Sequence, residues 1–266
     1  MSRRHMSEEH RHRLEAALRL ALESDALHVE YQPIVQADGA LCGFEALIRW
    51  RLADGTSVAP WQLLQIAHGC GFTRDVTEAL IAEVVTQAAQ WRADCGRTPP
   101  ISINLSAHDL EHPDIAKDIL EHLDVQGLPR RTLVVEITES DLIRHVDTAC
   151  LQLGLLRDAG LRVAIDDFGT GHSSLSRLSQ LPGDILKLDQ SFLHGVPGDA
   201  KRERIIRSVV GLAAELRLEL VAEGVEDPVQ LAWLMDAGVS RFQGYLFHRP
   251  APASHWTGQL LSLQPA

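Results

Sequence analysis

The 266-residue sequence has no apolar run approaching the ~18 residues needed to span a bilayer. Residues 1–12 are charged and lack the apolar stretch of a secretory signal. Cysteine is scarce and scattered. Cys42, Cys70, Cys95 and Cys150 include no CxxC pair, which excludes a zinc clip or a dithiol redox motif and leaves reduced, mostly buried thiols. No Ser/Gly/Pro-rich linker and no low-complexity tract divides the chain. Positive charge is in deficit, with 25 basic against 36 acidic residues and a formal net charge of -11. Such a balance excludes broad binding to duplex nucleic acid or anionic lipid. It leaves room for one small phosphate ligand held by local Arg and Lys, and clustered carboxylates suit divalent cations. These absences predict a soluble, cytoplasmic protein without a membrane segment, and a hydrophobic fraction of 45% is enough for a full core.

What is present alternates. Residues 7–23 read as an amphipathic helix, with Leu14, Leu18 and Leu20 among its apolar positions. Strand-like runs follow at 28–35, 42–50, 101–105, 132–138, 162–167, 185–188, 218–222 and 241–247. Helical patterns at 61–67, 77–92, 114–123, 147–159, 201–216 and 228–237 separate most of them. About eight strands interleaved with helices in ~250 residues predict an α/β fold, a TIM-type (β/α)8 barrel. An open doubly wound sheet is the runner-up, but no GxGxxG turn follows the first strand. The first two strands are joined only by Ala37-Asp38-Gly39-Ala40, which makes a hairpin and not a crossover. One strand near the N-terminus is therefore expected to run antiparallel to the others. The expected organisation is a helical segment, residues 1–24, packed on a single barrel domain, residues 25–266.

Charged and amide residues recur where strands should end: Glu45, Asn104, Glu136, Asp166, Asp167, Lys187, Glu223 and Gln243. A charge in an apolar strand is costly unless paired or metal-bound. One such residue would be a strand cap or a structural ion pair. A set spread over most strands would converge on the face of a barrel that carries active sites. Glu45, Asn104, Glu136, Asp166 and Asp167 offer four carboxylates and an amide, hard ligands suited to Mg²⁺ or Mn²⁺. Two such ions ~3.5–4 Å apart form the clamp used for in-line displacement at phosphorus. Asp166 is the better bridging candidate, because neighbouring strand residues point in opposite directions. Asp167 would have to be bent inward by the strand's end. The 167–171 segment, Asp167-Phe168-Gly169-Thr170-Gly171, is either a ligand lid or a simple βα turn.

These residues stand in blocks that resemble the EAL family of cyclic di-GMP phosphodiesterases. The blocks are Tyr31-Gln32-Pro33-Ile34-Val35, Glu45-Ala46-Leu47-Ile48-Arg49-Trp50, Asn104-Leu105-Ser106, Glu136-Ile137-Thr138-Glu139, Asp166-Asp167-Phe168-Gly169-Thr170-Gly171, Leu186-Lys187-Leu188-Asp189, Ala222-Glu223-Gly224-Val225-Glu226 and Gln243-Gly244-Tyr245. The resemblance covers residues 14–252.

The resemblance implies an EAL phosphodiesterase domain over 25–266, hydrolysing cyclic di-GMP to linear pGpG. Two Mg²⁺ or Mn²⁺ ions per site would serve it, with Ca²⁺ binding but inhibiting. Glu45, Asn104, Glu136 and Asp166 would hold one metal; Asp166, Asp167 and Glu223 would hold or orient the second. Lys187 would hydrogen-bond the attacking water, and Lys187 and Glu223 are both candidates for managing the proton, with Glu45 in the catalytic set. Arg49 would grip the uncut phosphate, Gln32 would contact the ligand, and Gln243 would help position the metal and water shell. Glu139 would tether the 167–171 loop, and Glu226 would support the site. A homodimer formed beside that loop is implied, as is a possible place within a larger regulatory protein. The competing expectation is a catalytically weak EAL domain acting as a cyclic di-GMP receptor or protein-interaction module. The sequence departs from the family at His68, where a glutamate is usual, at His172, where a tyrosine is common, and at Ser240, where an aspartate is usual. None of these removes an expected metal ligand. His5, His10 and His12 are expected to lie in a solvated N-terminal segment.

Overall fold

The computed structural model describes residues 8–24, 26–144, 146–169 and 182–262. Its elements in chain order are α1 (Glu8–Ala21), β1 (Leu27–Gln36), β2 (Leu41–Arg51), β3 (Ser57–Val58), α2 (Pro60–Cys70), α3 (Thr73–Cys95), β4 (Ile101–Asn104), α4 (Ala107–Leu110) and α5 (Ile115–Val125). There follow β5 (Leu133–Thr138), α6 (Glu139–Arg144), α7 (Val146–Asp158), β6 (Arg162–Phe168), β7 (Ile185–Leu188), α8 (Ala200–Glu215), β8 (Glu219–Ala222), α9 (Pro228–Asp236), β9 (Arg241–Phe242), β10 (Ala251–Pro252) and α10 (Ala253–Ser262).

Eight strands close on themselves in the order β1-β2-β4-β5-β6-β7-β8-β9, with β9 pairing back to β1. Strands β2 and β4 to β9 run parallel, while β1 is antiparallel to both of its barrel neighbours. The expected barrel with one reversed strand is the observed one. The short turn is the cause: Gly39 takes φ 82 and the Ala40 N–H is held by Asp38, so the chain reverses at once. Strands β3 and β10 only lengthen the edges of β2 and β1.

Period-two alternation sorts each strand. Ile101, Ile103, Leu133, Val135, Ile137, Val163, Ile165, Leu186, Leu188, Leu220, Ala222 and Phe242 face outward into the main core beneath the helices. Ile34, Val134, Ala164, Ile185 and Val221 form a separate apolar cluster that plugs the barrel interior. Helix α1 lies over the outside, where Leu14, Leu18 and Ala21 pack with Leu27, Trp50, Leu63 and Ile66.

Two expectations are corrected. Leu20, read as apolar-face, is 68% exposed, because the buried stripe runs through Leu14, Leu18 and Ala21 instead. The last strand ends at Phe242 rather than reaching 247. Gly244 there presses so closely on the next turn that an added Cβ would lie 2.1 Å from the Val225 carbonyl oxygen. The segment instead bonds to that turn, with the Val225 N–H donating to Gln243 O and the Leu246 N–H to Val225 O.

Candidate active site

The polar mouth is the next inward-facing layer above the plug. Two residues on from Val134 stands Glu136; from Ala164, Asp166; from Ile185, Lys187; from Val221, Glu223. On the reversed β1 the step runs backward, from Ile34 to Gln32. Glu45 of β2 pairs across from Gln32, and Gln243 follows β9. The same alternation that buries the apolar layer thus delivers these side chains to one opening.

Lys187 is the centre of this layer and only 1% exposed. Its Nζ lies 2.6 Å from Glu136 Oε2 and 2.6 Å from Glu223 Oε1, with Glu45 Oε2 at 3.4 Å and Asp166 Oδ1 at 3.5 Å. Glu45 is further fixed by Gln243 Nε2, which donates at 2.6 Å, and by Asn104 Nδ2, which donates at 2.9 Å. Gln243 Nε2 also donates to Gln32 Oε1 at 3.1 Å, and Gln32 Nε2 to the His248 carbonyl at 3.3 Å. Gln243 Oε1 is buried with no hydrogen-bond partner among the described residues.

Asp166 and Asp167 are adjacent, yet both serve the mouth. The β6–β7 register slips between Ile165 and Phe168, and Asp167 adopts φ 54. This left-handed residue is the bend that turns its side chain off the strand's outer face. Its N–H donates to Asp166 Oδ1 at 2.8 Å. Asp166, Asp167 and Glu223 each offer a carboxylate oxygen, and the three atoms lie within 4.8 Å of one another.

The charges do not balance. Five carboxylates (Glu45, Glu136, Asp166, Asp167, Glu223) surround one ammonium, a deficit of four charges if all are ionised. Burial opposes a charged Lys187, but Glu136, Glu223, Glu45 and Asp166 outweigh it and hold the ammonium well above its usual range. The surplus falls on the acids. Burial, with repulsion from Glu45 and Asp166, pushes Glu136 up to about 8 despite Lys187. Burial, then Asp166 and Asp189, pushes Asp167 up to about 6. Burial likewise drives Glu223 well above the usual carboxylate range. Glu45 is lowered: burial works against it, but Lys187 and the bonds from Gln243 and Asn104 prevail.

Other expected residues stand further out. Glu139 opens α6, is 2% exposed, and accepts the Gly169 N–H at 2.7 Å. Gly169 has φ 92, and a Cβ there would meet the Phe192 ring at 2.3 Å, so the loop's departure from β6 needs glycine. Thr170, Gly171 and His172 lie outside the described residues, as does His5. Arg49 is held at its Nε by Glu30 Oε2 at 2.8 Å and does not line the mouth cavity. That cavity, about 250 Å³, is lined by Gln32, Glu45, Asp166, Asp167, Glu223 and Gln243 among others. Glu226 borders it as well, together with Asp189 and Tyr245, to which the sequence reading gave no role. Asp189 had a signal: it stands two residues past Lys187, on the same strand face. A larger cavity of about 620 Å³ lies outside the barrel between the β1–β2 hairpin and α10, but its walls are mostly apolar, with His248 and Gln259, and carry no carboxylate.

The EAL domain family model matches residues 15–250. Cyclic di-GMP phosphodiesterase PdeR of Escherichia coli is 35% identical over 243 residues, 90% of this chain and 36% of PdeR. The bifunctional diguanylate cyclase/cyclic di-GMP phosphodiesterase MucR of Pseudomonas aeruginosa is 35% identical over 237 residues, 89% of this chain and 35% of MucR. The solved complex of the PaMucR phosphodiesterase with c-di-GMP is similar at a TM-score of 0.86 and 34% identity, covering 92% of this chain and 99% of that one. The chain spans about a third of the length of the curated relatives it matches.

Proposed function

The chain belongs to the EAL domain family, and on that premise we propose that it is a metal-dependent phosphodiesterase hydrolysing cyclic di-GMP to linear pGpG. The observation that carries this is the charge deficit of the mouth. Fully ionised, the layer carries four uncompensated negative charges, the charge of two divalent ions, and all the donors are hard oxygens. The unpartnered Gln243 Oε1 fits the same reading, since a hydrated ion's water would supply its missing donor.

Asp166, Asp167 and Glu223 would hold one ion; Glu45, Asn104, Glu136 and Asp166 would hold the other, with Mg²⁺ or Mn²⁺ the suited metals. When bound, such ions supply an activated water and neutralise phosphoryl oxygens. The chain's own residues do the rest. Lys187 ties four carboxylates into one fixed array and presents an ammonium to charge developing at phosphorus. Glu223, its pKa raised by burial, stands 2.6 Å from that ammonium, where its carboxylate can take part in moving the proton. Gln243, itself held by Gln32, fixes one Glu45 oxygen while Asn104 fixes the other. Arg49, held at Nε by Glu30, keeps its Nη2 donors for the phosphate that is not cut. Glu139 anchors the loop that leaves β6.

The test is incubation with cyclic di-GMP and Mg²⁺ or Mn²⁺, with pGpG measured by chromatography. Product from the native chain and none from Glu45→Ala is expected. Saturable binding of cyclic di-GMP without product over hours would overturn the enzyme reading in favour of a receptor.

The same reading makes this chain the catalytic module of a larger regulator, working in the cytoplasm, where its thiols stay reduced. No helix among the described residues is long and apolar enough to cross a membrane. A homodimer is supported by α7, which exposes Leu151 at 61% and Leu155 at 48%, one turn apart.

A further inference from the structure

Beside the mouth, on the same end of the barrel, lies a second cluster that the reaction does not use. Helix α2 brings His68, the turn after β4 brings Ser106, His108 and Glu111, α3 brings Thr73, and α6 brings Asp141. They line one cavity of about 350 Å³. His108 Nδ1 is 3.3 Å from Glu111 Oε2, and the His68 and His108 rings stand 5.5 Å apart, edge to face.

Three features of this cluster suit a transition-metal ion. His108 and Glu111 sit at i and i+3, a spacing that places an imidazole and a carboxylate on one side of a helical turn, as in metal-binding bundles. Their 3.3 Å separation is the edge of a tetrahedron built from metal bonds of about 2.0–2.2 Å. Thr73, only 7% exposed, lines the same cavity with its Oγ1 buried and without a partner among the described residues. A buried hydroxyl left unbonded costs on the order of 1–3 kcal/mol unless a ligand or its water completes it. The charge sign also agrees. Glu111 and Asp141 are acidic, and Arg74, next to Thr73, is taken up by Asp118 at 2.9 Å.

We propose that His68, His108 and Glu111 form a second metal site, selective for an imidazole-seeking divalent ion such as Zn²⁺, with Asp141 and the Thr73 hydroxyl reached directly or through its water. The ligand atoms of His68, His108 and Glu111 are not all within 4.8 Å of one another, so the His68 ring must turn toward the His108–Glu111 pair, which its exposed position on α2 permits. The hard-oxygen mouth and this imidazole site would then select different metals on one barrel face. The site also joins α2 to the turns following β4 and β5. Those segments carry Asn104 and Glu139, each two residues before a residue of this cavity.

The experiment is calorimetric titration of Zn²⁺ into the full chain in saturating Mg²⁺, without substrate. The native protein is expected to take up one equivalent that His68→Ala and His108→Ala each weaken at least 30-fold, leaving any remaining uptake unchanged. Far-UV circular dichroism checks that the variants are folded, and Glu111→Gln provides an independent third variant with the same expected loss. Native-like isotherms from His68→Ala would reduce the feature to adventitious binding at a lone exposed histidine and overturn the proposal. The readout is uptake of metal, so it stands or falls apart from the phosphodiesterase reading.

Discussion

The two ends of the barrel interior hold the same kinds of residue in opposite states. At the lower end, two residues before the apolar plug, Glu219 Oε2 receives Arg162 at 2.8 Å and Arg241 at 2.9 Å, and all three side chains are 30–39% exposed. At the upper end, two residues after the plug, one fully buried lysine faces five carboxylates. The lower trio carries one surplus positive charge on side chains about a third exposed, which water can screen. The upper layer is unbalanced and largely dry, and its acids are forced toward protonation. A fold gains nothing in stability from such a deficit. The difference teaches that charge at the top of this barrel is kept for a ligand, whereas charge at the bottom merely closes the structure.

The strongest way to break that contrast is Lys187→Met, which keeps the volume and removes the single cation. Turnover should fall by about 10²–10³ or more, the scale of losing a preorganised stabiliser of transition-state charge. The metal-free protein should also lose stability on the order of 3–5 kcal/mol, because the acids are left unpaired. Denaturant titration with and without Mg²⁺ reads both parts: added metal should recover stability but not turnover. A Lys187→Met protein with native kcat would show the upper layer to be as structural as the lower one.

Next in size is Glu139→Ala. Its carboxylate accepts the Gly169 N–H where the loop leaves β6, so it acts through the loop rather than on substrate. A loss of 10–100-fold in activity is expected, as for outer partners that orient a site. Glu139→Gln, which keeps an acceptor, should recover part of it. Equal loss in both would mean that charge, not positioning, is what Glu139 supplies.

Much of this contrast was legible from the chain. Alternation of period two, the strand-end acids and the short Asp38-Gly39 turn were enough for the barrel, its reversed strand and most of the mouth. The plug and mouth are adjacent layers of one pattern, as Val134 and Glu136 illustrate. What escaped depended on partners distant in sequence. The need for an inward bend at Asp167 is legible, but its cause, a register slip against β7, has no residue pattern within β6 to announce it. The end of β9 is set by Gly244 meeting Val225. The pairing of Arg49 with Glu30 needs the β1–β2 register, which a turn of uncertain geometry leaves open by a residue. Helix α10 hides because its buried side, Trp256 and Leu260, is a sparse pattern in a short segment.

Acidity sharpens the comparison further. Glu136 at about 8 and Asp167 at about 6 lie above the ~4 of unfolded carboxylates. Folding therefore takes up protons at the upper layer, and these acids destabilise the metal-free chain above their folded pKa. That cost is full above the folded pKa, shrinks as pH falls below 8 and then 6, and is gone only near the ~4 of the unfolded chain. Thermal midpoints of chelator-treated protein should rise between pH 9 and pH 6. Mg²⁺ should stabilise most at the alkaline end, releasing protons as it binds. Midpoints that fall over that range, or Mg²⁺ stabilisation independent of pH, would contradict the charge deficit.

The smallest effect belongs to the lower end. Glu219→Gln removes one carboxylate from a half-exposed trio and leaves Arg162 and Arg241 near water. Solvent screening discounts both ion pairs, so the cost should be about 1 kcal/mol or less. No change in kcat beyond two-fold is expected, because the apolar plug of Ile34, Val134, Ala164, Ile185 and Val221 separates Glu219 from Lys187. The plug matters here for a physical reason. A close-packed layer transmits volume changes readily, but replacing a carboxylate by an amide of the same shape offers no volume change to transmit. If Glu219→Gln nevertheless lowered kcat ten-fold with stability intact, charge at the lower end would be coupled to the mouth through the plug, and the two ends would be one electrostatic unit.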